Sequence, residues 1–373
     1  MSYLEKLLDG VNVEWKSLGE VAKVGTGSSN GNEADENGKY PFFVRSQTIK
    51  TKDTFEYDEE AIIIPGEGGI GDIYHYINGK YALHQRVYRI HITTDFVDTR
   101  FIYYYMRAHF KSFIMLKAVS ATVTSIRKPM IENFSVPIPC PENPKKSLEI
   151  QQKIIAILDT FTELTAELTA ELTSRKMQYS YYREELLSFD KNKVKWQSLG
   201  EVGEIKRGVA FTKKQSIFGK FPVVANAADP ITFHNEFNRN GEFIVIARSG
   251  ANAGLISYWN EELFLTDAFS IHPNNSILNT KFAYYYLKSH QREIHLMKEG
   301  VGVPHVRASD FEIYNIPITS IEEQEHIVSI LDKFDILTTS ISEGLPKEIA
   351  LRKQQYEYYR DLLLTFPKDN LES

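Results

Sequence analysis

The chain repeats itself, and this duplication constrains the fold more than any other feature of the sequence. Residues 13–21 read Val-Glu-Trp-Lys-Ser-Leu-Gly-Glu-Val, and residues 194–202 read Val-Lys-Trp-Gln-Ser-Leu-Gly-Glu-Val. The two segments lie 181 positions apart, and further matches follow in order along the chain at nearly the same offset. Ordered matches of this kind identify a tandem duplication of one structural unit.

The later matches mark the parts of the repeated unit. They comprise the tyrosine-rich segments at 101–105 and 282–286, Arg127 with Arg307, the segments 151–159 and 324–332, and the blocks 175–183 and 352–360 that end in Tyr-Tyr-Arg. Each unit therefore has a first part with mixed patterning and a second part that ends in an aromatic block.

The first part of each unit has the pattern of an α+β module. Short β-branched runs bounded by glycine or proline, such as residues 61–64 and 243–246, predict strands. The tyrosine-rich segments have the spacing of short amphipathic helices.

The second part of each unit is predicted to be a long helix. Apolar residues from Ile150 to Leu172 recur at spacings of three or four, and the 41 residues 149–189 would span about 60 Å as a helix. In the second copy, residues 320–323 fit a capping box, whereas Gly344 and Pro346 predict a kink or a short break.

These patterns predict the fold class and the domain boundaries. We expect an α+β protein with two β-rich modules, residues 1–147 and 191–320, separated by two long helical spacers, residues 148–190 and 321–373. Isolated helices of this length need a partner. We expect the two spacers to pack antiparallel, with an approximate internal two-fold axis from the tandem duplication.

Charge is distributed unevenly between modules and spacers. The formal net charge is −6, which at face value disfavours binding to nucleic acid. The two spacers carry −4 and −5, however, whereas the modules carry 0 and +3. A local basic face on the modules is therefore compatible with the acidic total.

The sequence contains no recognisable catalytic or metal site. Its single cysteine, Cys140, excludes an internal disulfide and a cysteine-based zinc site, and the ten histidines show no metal-ligand spacing. Residues 66–71 satisfy G-x-G-x-x-G, but strand-like residues follow instead of a helix, so we interpret the segment as a structural turn. With no membrane-length apolar run and no signal-peptide pattern, we expect a cytoplasmic protein without a membrane partner.

The repeated motifs resemble those of one family, the specificity (S) subunits of type I restriction–modification systems. The resemblance rests on the repeated Trp-Lys-Ser-Leu-Gly-Glu segment at 15–20, Val-Pro-Ile-Pro at 136–139, and the segments 151–159 and 178–183, together with their second-copy counterparts. It covers essentially the whole chain. Residues 165–168 and 169–172 both read Thr-Ala-Glu-Leu, which resembles the four-residue repeat of class IC S subunits.

The resemblance implies a reader of DNA without catalysis of its own. The two modules would be target recognition domains that each read half of a bipartite, asymmetric site on double-stranded DNA, and the spacers would dock two methyltransferase (M) subunits. The chain itself would bind no cofactor. S-adenosylmethionine would be bound by the M subunits, and ATP and magnesium by the motor–nuclease (R) subunits of the full complex.

Basic and amide residues of the two modules are the candidate DNA contacts, because arginine and lysine pair with guanine and amides with adenine in the major groove. Arg127 and Arg307 occupy equivalent places, which favours a shared framework or phosphate role. The candidates are Arg45, Gln47, Lys50, Arg86, Arg127 and Lys128 in the first module, and Lys206, Arg207, Lys213, Lys214, Asn226, Arg248 and Arg307 in the second.

The aromatic blocks of the spacers are candidates for partner binding, because aromatic side chains are strong interface anchors. Some of these rings are instead expected to pack between the helices. The candidates are Tyr179, Tyr181, Tyr182, Tyr356, Tyr358 and Tyr359.

Two other functions stay open at this point. The chain could be a two-domain scaffold that holds proteins together and binds no DNA. It could also be a solitary DNA methyltransferase or nuclease, which the missing cofactor and catalytic motifs disfavour.

The four-residue repeat yields a prediction about the spacing of the DNA site. Deletion of residues 165–168 removes about 6 Å of helix, comparable to one or two base-pair steps. We expect the variant to methylate a site with a shorter gap and unchanged half-sites, as read by sequencing of methylated genomic DNA. Altered half-sites at a constant gap would contradict a role of the spacer as a ruler.

Overall fold

The structure is a computed structural model that describes residues 3–117, 125–211, 219–227, 229–300 and 302–367. The chain divides into two compact units. The first comprises Met1–Glu167 together with Ile349–Ser373, and the second comprises Leu168–Glu348.

The first unit contains eight strands within the described part of the chain. Six of them form one mixed sheet in the order β2-β7-β5-β6-β3-β4, and β1 pairs with β8 as a separate antiparallel ribbon. The strands are β1 (Val13–Ser17), β2 (Ala22–Thr26), β3 (Tyr40–Phe43), β4 (Lys50–Lys52), β5 (Tyr57–Pro65), β6 (His75–Leu83), β7 (Val87–Ile92) and β8 (Ser135–Pro139).

The helices of the first unit cover one side of its core. The tyrosine-rich segment forms a 19-residue helix that buries Phe101, Ile102 and Phe110, as the amphipathic pattern predicts. The helices that begin in this unit are α1 (Tyr3–Leu8), α2 (Leu18–Val21), α3 (Thr99–Lys117), α4 (Lys128–Glu132) and α5 (Pro144–Leu186).

The second unit repeats this arrangement with a smaller main sheet. Four strands pair in the order β10-β16-β13-β14, three more in the order β12-β11-β15, and β9 pairs with β17 as the ribbon. The strands are β9 (Lys195–Ser198), β10 (Gly203–Arg207), β11 (Phe221–Val224), β12 (Thr232–His234), β13 (Glu242–Ala247), β14 (Ile256–Asn260), β15 (Phe264–Leu265), β16 (Ala268–Pro273) and β17 (Asn315–Ile318).

The second helical spacer is interrupted, as glycine and proline near its middle predict. Gly344 has a φ of +73°, and a Cβ at this position would lie 2.4 Å from the Ile336 carbonyl oxygen, so the turn requires glycine. The first spacer, α5, is continuous over 43 residues. The remaining helices are α6 (Leu199–Val202), α7 (Thr280–Ser289), α8 (Gln291–Leu296), α9 (Ala308–Glu312), α10 (Ile321–Thr339) and α11 (Gly344–Leu364).

The repeated tryptophan and proline motifs meet in the two-stranded ribbons. Trp15 lies opposite Pro137 in the β1–β8 ribbon, and Trp196 lies opposite Pro317 in the β9–β17 ribbon. Two segments about 120 residues apart in sequence are thus paired strand to strand in each unit, which explains why both recur in the duplication.

A buried glutamine fixes the start of each spacer helix to its module. Gln151 Nε2 donates to the Phe96 carbonyl oxygen at 2.8 Å, and its Oε1 accepts from the Asp98 N–H at 2.8 Å. Gln324 Nε2 donates to the Ile277 carbonyl oxygen at 3.0 Å, and its Oε1 accepts from the Asn279 N–H at 2.8 Å. Both glutamine side chains are fully buried.

An aspartate one to two turns further along each helix makes a second connection. Asp159 accepts hydrogen bonds from Tyr104 Oη at 2.5 Å and Arg100 Nη2 at 2.7 Å. Asp332 accepts from Tyr285 Oη at 2.6 Å and from a lysine ammonium at 2.6 Å. The equivalent bonds in both units confirm the duplication at the level of side chains.

The spacer helices also contact each other within each unit. In the first unit the Phe161 ring of α5 stacks on Tyr359 of α11 at 5.2 Å, and in the second unit Tyr182 of α5 stacks on Phe334 of α10 at 5.6 Å. The first half of α5 thus has its partner later in the chain than the second half. This is the order of contacts expected for antiparallel helices. The predicted α+β fold class is confirmed.

His272 yields a prediction for acid stability. Burial and the nearby Lys206 and Arg239 cations lower its pKa to about 4 from an ordinary value of 6.5. The unfolded chain therefore takes up a proton that the folded chain resists as the pH falls from about 6.5 towards 4. The stability that neutral His272 supports is present above pH 6.5 and is lost on acidification.

We expect His272→Gln to flatten the loss of thermal stability between pH 7 and pH 5 by about 1 kcal/mol, allowing for the partial exposure of the site. Thermal unfolding followed by circular dichroism measures this difference. His326→Gln, on the exposed side of α10, is the matched control and should keep the wild-type pH dependence. Identical pH profiles for wild type and His272→Gln would contradict the assignment.

Candidate nucleic-acid interface

Two predicted arginines of the first unit meet at one carboxylate beyond the strand ends. Arg45 Nη1 lies 2.9 Å from Glu67 Oε2, and Arg86 Nη1 lies 2.9 Å from the same oxygen. The side chains of Arg45 and Arg86 are 45% and 56% exposed. The neighbouring His84 has its pKa lowered by burial first and by the two guanidinium groups second. The structure thus forms an exposed basic cluster centred on Glu67.

Arg127 follows the segment that pairs with this cluster. The Ile126 N–H donates to the Gly66 carbonyl oxygen at 2.9 Å, and Ser125 forms a β-bridge with Glu67. Arg127 itself is exposed at the start of α4. Its predicted neighbour Lys128 forms an ion pair with Glu132 at 3.3 Å on the same short helix.

Gln47 and Lys50 lie on the exposed segment that connects β3 to β4. Lys50 is the first residue of β4 and pairs with Phe42 of β3. Both side chains are accessible beside Arg45 in sequence, and the structure records no ion pair for either of them in the part of the chain that it describes.

The second unit brings three predicted arginines to one groove. Arg207, Arg248 and Arg307 all line an open groove of about 570 Å³. Asp267 and His305 contribute to the same walls. Arg248 Nη1 lies 3.8 Å from Asp267 Oδ1, and Arg307 Nη2 lies 2.5 Å from Glu299 Oε2. Basic residues that are 41 to 100 positions apart in sequence therefore converge on one surface.

A buried arginine that sequence reasoning missed supports this groove. Arg239 donates to the carbonyl oxygens of Lys206 at 3.2 Å and Arg207 at 2.7 Å, and to Ser270 Oγ at 2.6 Å. Burial lowers the pKa of its guanidinium group. Arg239 therefore fixes the end of β10 from which the Arg207 side chain extends, and no local motif marks it in the sequence.

A glycine beside Arg207 allows the chain to turn tightly into the groove. A Cβ on Gly208 would lie 2.9 Å from the Leu265 carbonyl oxygen, which is too close for any other residue without a shift of backbone. Gly27 holds the equivalent place in the first unit, where a Cβ would lie 1.8 Å from the Leu83 carbonyl oxygen.

The structure gives Asn226 a supporting place. Its Oδ1 accepts from the backbone N–H groups of Arg248 at 2.9 Å and Ser249 at 3.1 Å. Its Nδ2 donates to Ser249 Oγ at 2.8 Å and to an Asp267 carboxylate oxygen. Because both ends of the amide are engaged, Asn226 holds the rim of the groove in shape.

The remaining predicted lysines of the second unit lie elsewhere. Lys206 forms an ion pair with Glu204 at 2.8 Å and does not line the groove. Lys213 and Lys214 lie outside the described residues.

The predicted partner-binding tyrosines divide into packed and exposed rings. Tyr179 is partly buried and stacks on Phe334 at 5.9 Å, and burial raises its pKa to about 12. Tyr356 is partly buried against the first core. Tyr182 and Tyr359 are 41% and 38% exposed and form the interhelical stacks described above.

One tyrosine of each block remains largely accessible. Tyr181 is 63% exposed and Tyr358 is 65% exposed, and both belong to the same position of the repeated block. Met177 adds a further exposed apolar side chain, 65% accessible, one turn before Tyr181. The exposed rings are therefore the members of the set that remain available to a partner protein.

The described residues contain no group of three or more histidine, cysteine or acidic side chains placed to hold a metal ion. No helix among them is long and apolar enough to cross a membrane.

Comparison with known proteins identifies the same unit twice in this chain. The family model for the type I restriction modification DNA specificity domain matches residues 11–175 and again residues 193–351. The chain is also similar to the solved structure of a type I restriction–modification S subunit from M. genitalium, with a TM-score of 0.68 at 20% identity over 97% of this chain and 98% of that one.

Curated relatives align over nearly the full length. The specificity subunit of the type I restriction enzyme EcoR124I/EcoR124II from Escherichia coli is 34% identical over 99% of this chain and 98% of its own. The specificity subunit of the EcoprrI enzyme, also from Escherichia coli, is 31% identical over 92% of each chain. Given two matches to the domain and full-length relatives above 30% identity, this chain belongs to the family of type I restriction–modification specificity subunits.

Proposed function

We propose that this chain reads a bipartite, asymmetric site on double-stranded DNA, with one half-site read by each module. The observation that carries the proposal is the equivalent placement of exposed basic residues in both units. Arg45, Arg86 and Arg127 lie at strand ends of the first module, and Arg248 and Arg307 line the groove of the second. Two basic surfaces on two repeated modules suit a site that has two separate parts.

The boundaries of the two recognition domains are part of the proposal. We assign residues 1–147 and 191–320 to DNA recognition, and residues 148–190 and 321–373 to spacing and docking. In support, the last strand of each module ends at Pro139 and Ile318, a few residues before α5 and α10 begin.

We further propose that two M subunits dock on the spacer blocks, and that R subunits join the full complex. The repeated, exposed Tyr181 and Tyr358 support two equivalent docking sites, since each aromatic block occurs once per unit. In this assembly the M subunits bind S-adenosylmethionine, and the R subunits use ATP and magnesium. The chain itself supplies recognition without a cofactor, and its proposed location is the cytoplasm, where it meets its DNA.

The class IC assignment belongs to the same proposal. Its support is the repeated Thr-Ala-Glu-Leu sequence at 165–172, which lies within the uninterrupted helix α5. A repeat inside one continuous helix changes the length of that helix by whole four-residue steps.

The proposed function predicts a chain-dependent methylation motif. Cells that express a cognate M subunit together with this chain should methylate adenine in two short half-sites around a fixed gap, and cells with the M subunit alone should not. Long-read sequencing of genomic DNA measures the motif. A stable complex of the two proteins without such methylation would favour the scaffold alternative.

The docking proposal predicts the effect of removing the exposed rings. We expect the double variant Tyr181→Ala and Tyr358→Ala to bind the M subunit at least tenfold more weakly, because truncation of a buried interface aromatic typically costs on the order of 2 kcal/mol. Analytical ultracentrifugation or interferometry with purified subunits measures the affinity.

The control is Leu116→Ala, which removes an 87% exposed apolar side chain from α3, outside the aromatic blocks. It should leave the affinity for the M subunit unchanged. If the tyrosine double variant binds the M subunit like the wild type, the two rings are not part of the docking surface.

A further inference from the structure

Three positions occupy the same places in the topology of both modules. The first lies two residues beyond β3 or β11, and is Arg45 or Asn226. The second lies two residues beyond β5 or β13, and is Glu67 or Ser249. The third immediately precedes β7 or β16, and is Arg86 or Asp267. We call each set of three the rim triad of its module.

The backbone around the two rim triads is held by equivalent hydrogen bonds. The Ile126 N–H donates to the Gly66 carbonyl oxygen, and the Val306 N–H donates to the Arg248 carbonyl oxygen, each at 2.9 Å. Glu67 forms a β-bridge with Ser125, as Ser249 does with His305. The two triads are thus different side chains on one repeated framework.

The members of each rim triad contact one another. In the first module, Glu67 binds Arg45 at 2.9 Å and Arg86 at 2.9 Å. In the second module, Ser249 Oγ donates to Asp267 Oδ2 at 2.8 Å, and Asn226 Nδ2 donates to Ser249 Oγ at 2.8 Å. The same geometry therefore carries two cations around an anion in one module, and an amide, a hydroxyl and a carboxylate in the other.

A repeated framework with exchanged side chains is what two readers of different base sequences require. The fixed part positions the module on the DNA, and the exchanged part contacts base edges. Arg127 and Arg307 are identical in both modules and belong to the fixed part, whereas the rim triads differ at every position. We infer that the rim triads determine which bases the two half-sites contain. This inference rests on the proposed DNA-reading function.

The chemistry of the first rim triad favours guanine. Arginine offers five N–H donors in a planar fork, and each guanidinium here keeps donors beyond its bond to Glu67. Guanine presents two acceptors, N7 and O6, in the major groove, and arginine is their commonest partner. The first half-site therefore contains a guanine bound by Arg86 or Arg45, with Glu67 orienting both guanidinium groups.

The chemistry of the second rim triad favours an amino-bearing base. The Asp267 side chain is 47% exposed and only accepts hydrogen bonds when ionised. It stands in the left-handed backbone region with a φ of 40°, which aspartate tolerates better than most residues. Adenine N6 and cytosine N4 are the amino groups that the major groove presents. The second half-site therefore contains an adenine or cytosine whose amino group donates to Asp267.

The test uses the purified complex of this chain with its M subunit. The wild-type motif, found by methylation sequencing, is converted into a panel of short duplexes in which each base pair is replaced in turn. Binding to every duplex is measured by fluorescence anisotropy for Arg86→Gln, Arg45→Gln and Asp267→Asn. Lys23→Gln on β2 and Glu261→Gln between β14 and β15 are the charge-matched controls, since both side chains are exposed and outside the rim triads.

We expect Arg86→Gln or Arg45→Gln to reduce the preference for guanine at one position of one half-site by about tenfold or more. Asp267→Asn should reduce the preference for adenine or cytosine at one position of the other half-site. The control variants should keep the wild-type preferences. Arg127→Gln should instead weaken binding to all duplexes alike, as loss of a phosphate contact does.

Three results would overturn the inference. Triad variants that weaken every duplex equally would assign the rim triads to the DNA backbone. Variants with wild-type preferences would make the triads bystanders, and effects confined to a single half-site for both modules would exclude one reader per triad. If the wild-type complex itself yields no split motif, the proposed function fails. If it yields one that the variants leave unchanged, only the triad inference fails.

Discussion

The hydrogen bonds of two buried glutamines hold the architecture together. Gln151 and Gln324 lie near the beginnings of the spacer helices, and each satisfies a carbonyl and an N–H group of the loop that enters the tyrosine-rich helix of its module. A buried amide that bonds through both its donor and its acceptor fixes direction as well as distance, and its loss leaves several polar groups unpaired. The module and its spacer therefore behave as one rigid piece, which a reader of widely separated DNA positions requires.

The aromatic blocks show how one repeated motif serves two purposes. Within each block, one tyrosine packs towards the core, one stacks on a phenylalanine of the facing helix, and one remains exposed. The first two stabilise the helix pair from inside, and the third leaves an aromatic anchor on the surface. A periodic helix can make this division because residues two or three positions apart point to different sides.

The sequence predicted the elements that periodicity and repetition control, and missed those that depend on side-chain partners. The duplication, the long first spacer and the break at Gly344 were all predictable from spacing and from backbone chemistry. The first spacer, however, begins at Pro144, ahead of the predicted 149, because proline is tolerated in the first turn of a helix. The roles of Glu67, Asp267 and Arg239 were missed, because acidic residues and a lone arginine gain meaning only from neighbours that are distant in sequence. Asn226 looked like a reader from its type, but its amide is engaged on both sides by the backbone and by Asp267.

The uninterrupted course of α5 restricts how its length can vary. Each residue added to an α-helix turns everything beyond it by about 100°, so that one, two or three extra residues would swing the following module far out of phase. Four residues give one full revolution and about 40° more, which is close to the twist of roughly 35° between neighbouring base pairs. A change in helix length by one Thr-Ala-Glu-Leu unit therefore keeps the following module near the rotational phase of a neighbouring base pair. Tandem copies of a four-residue unit are the form in which such a helix can change its reach and still face the double helix.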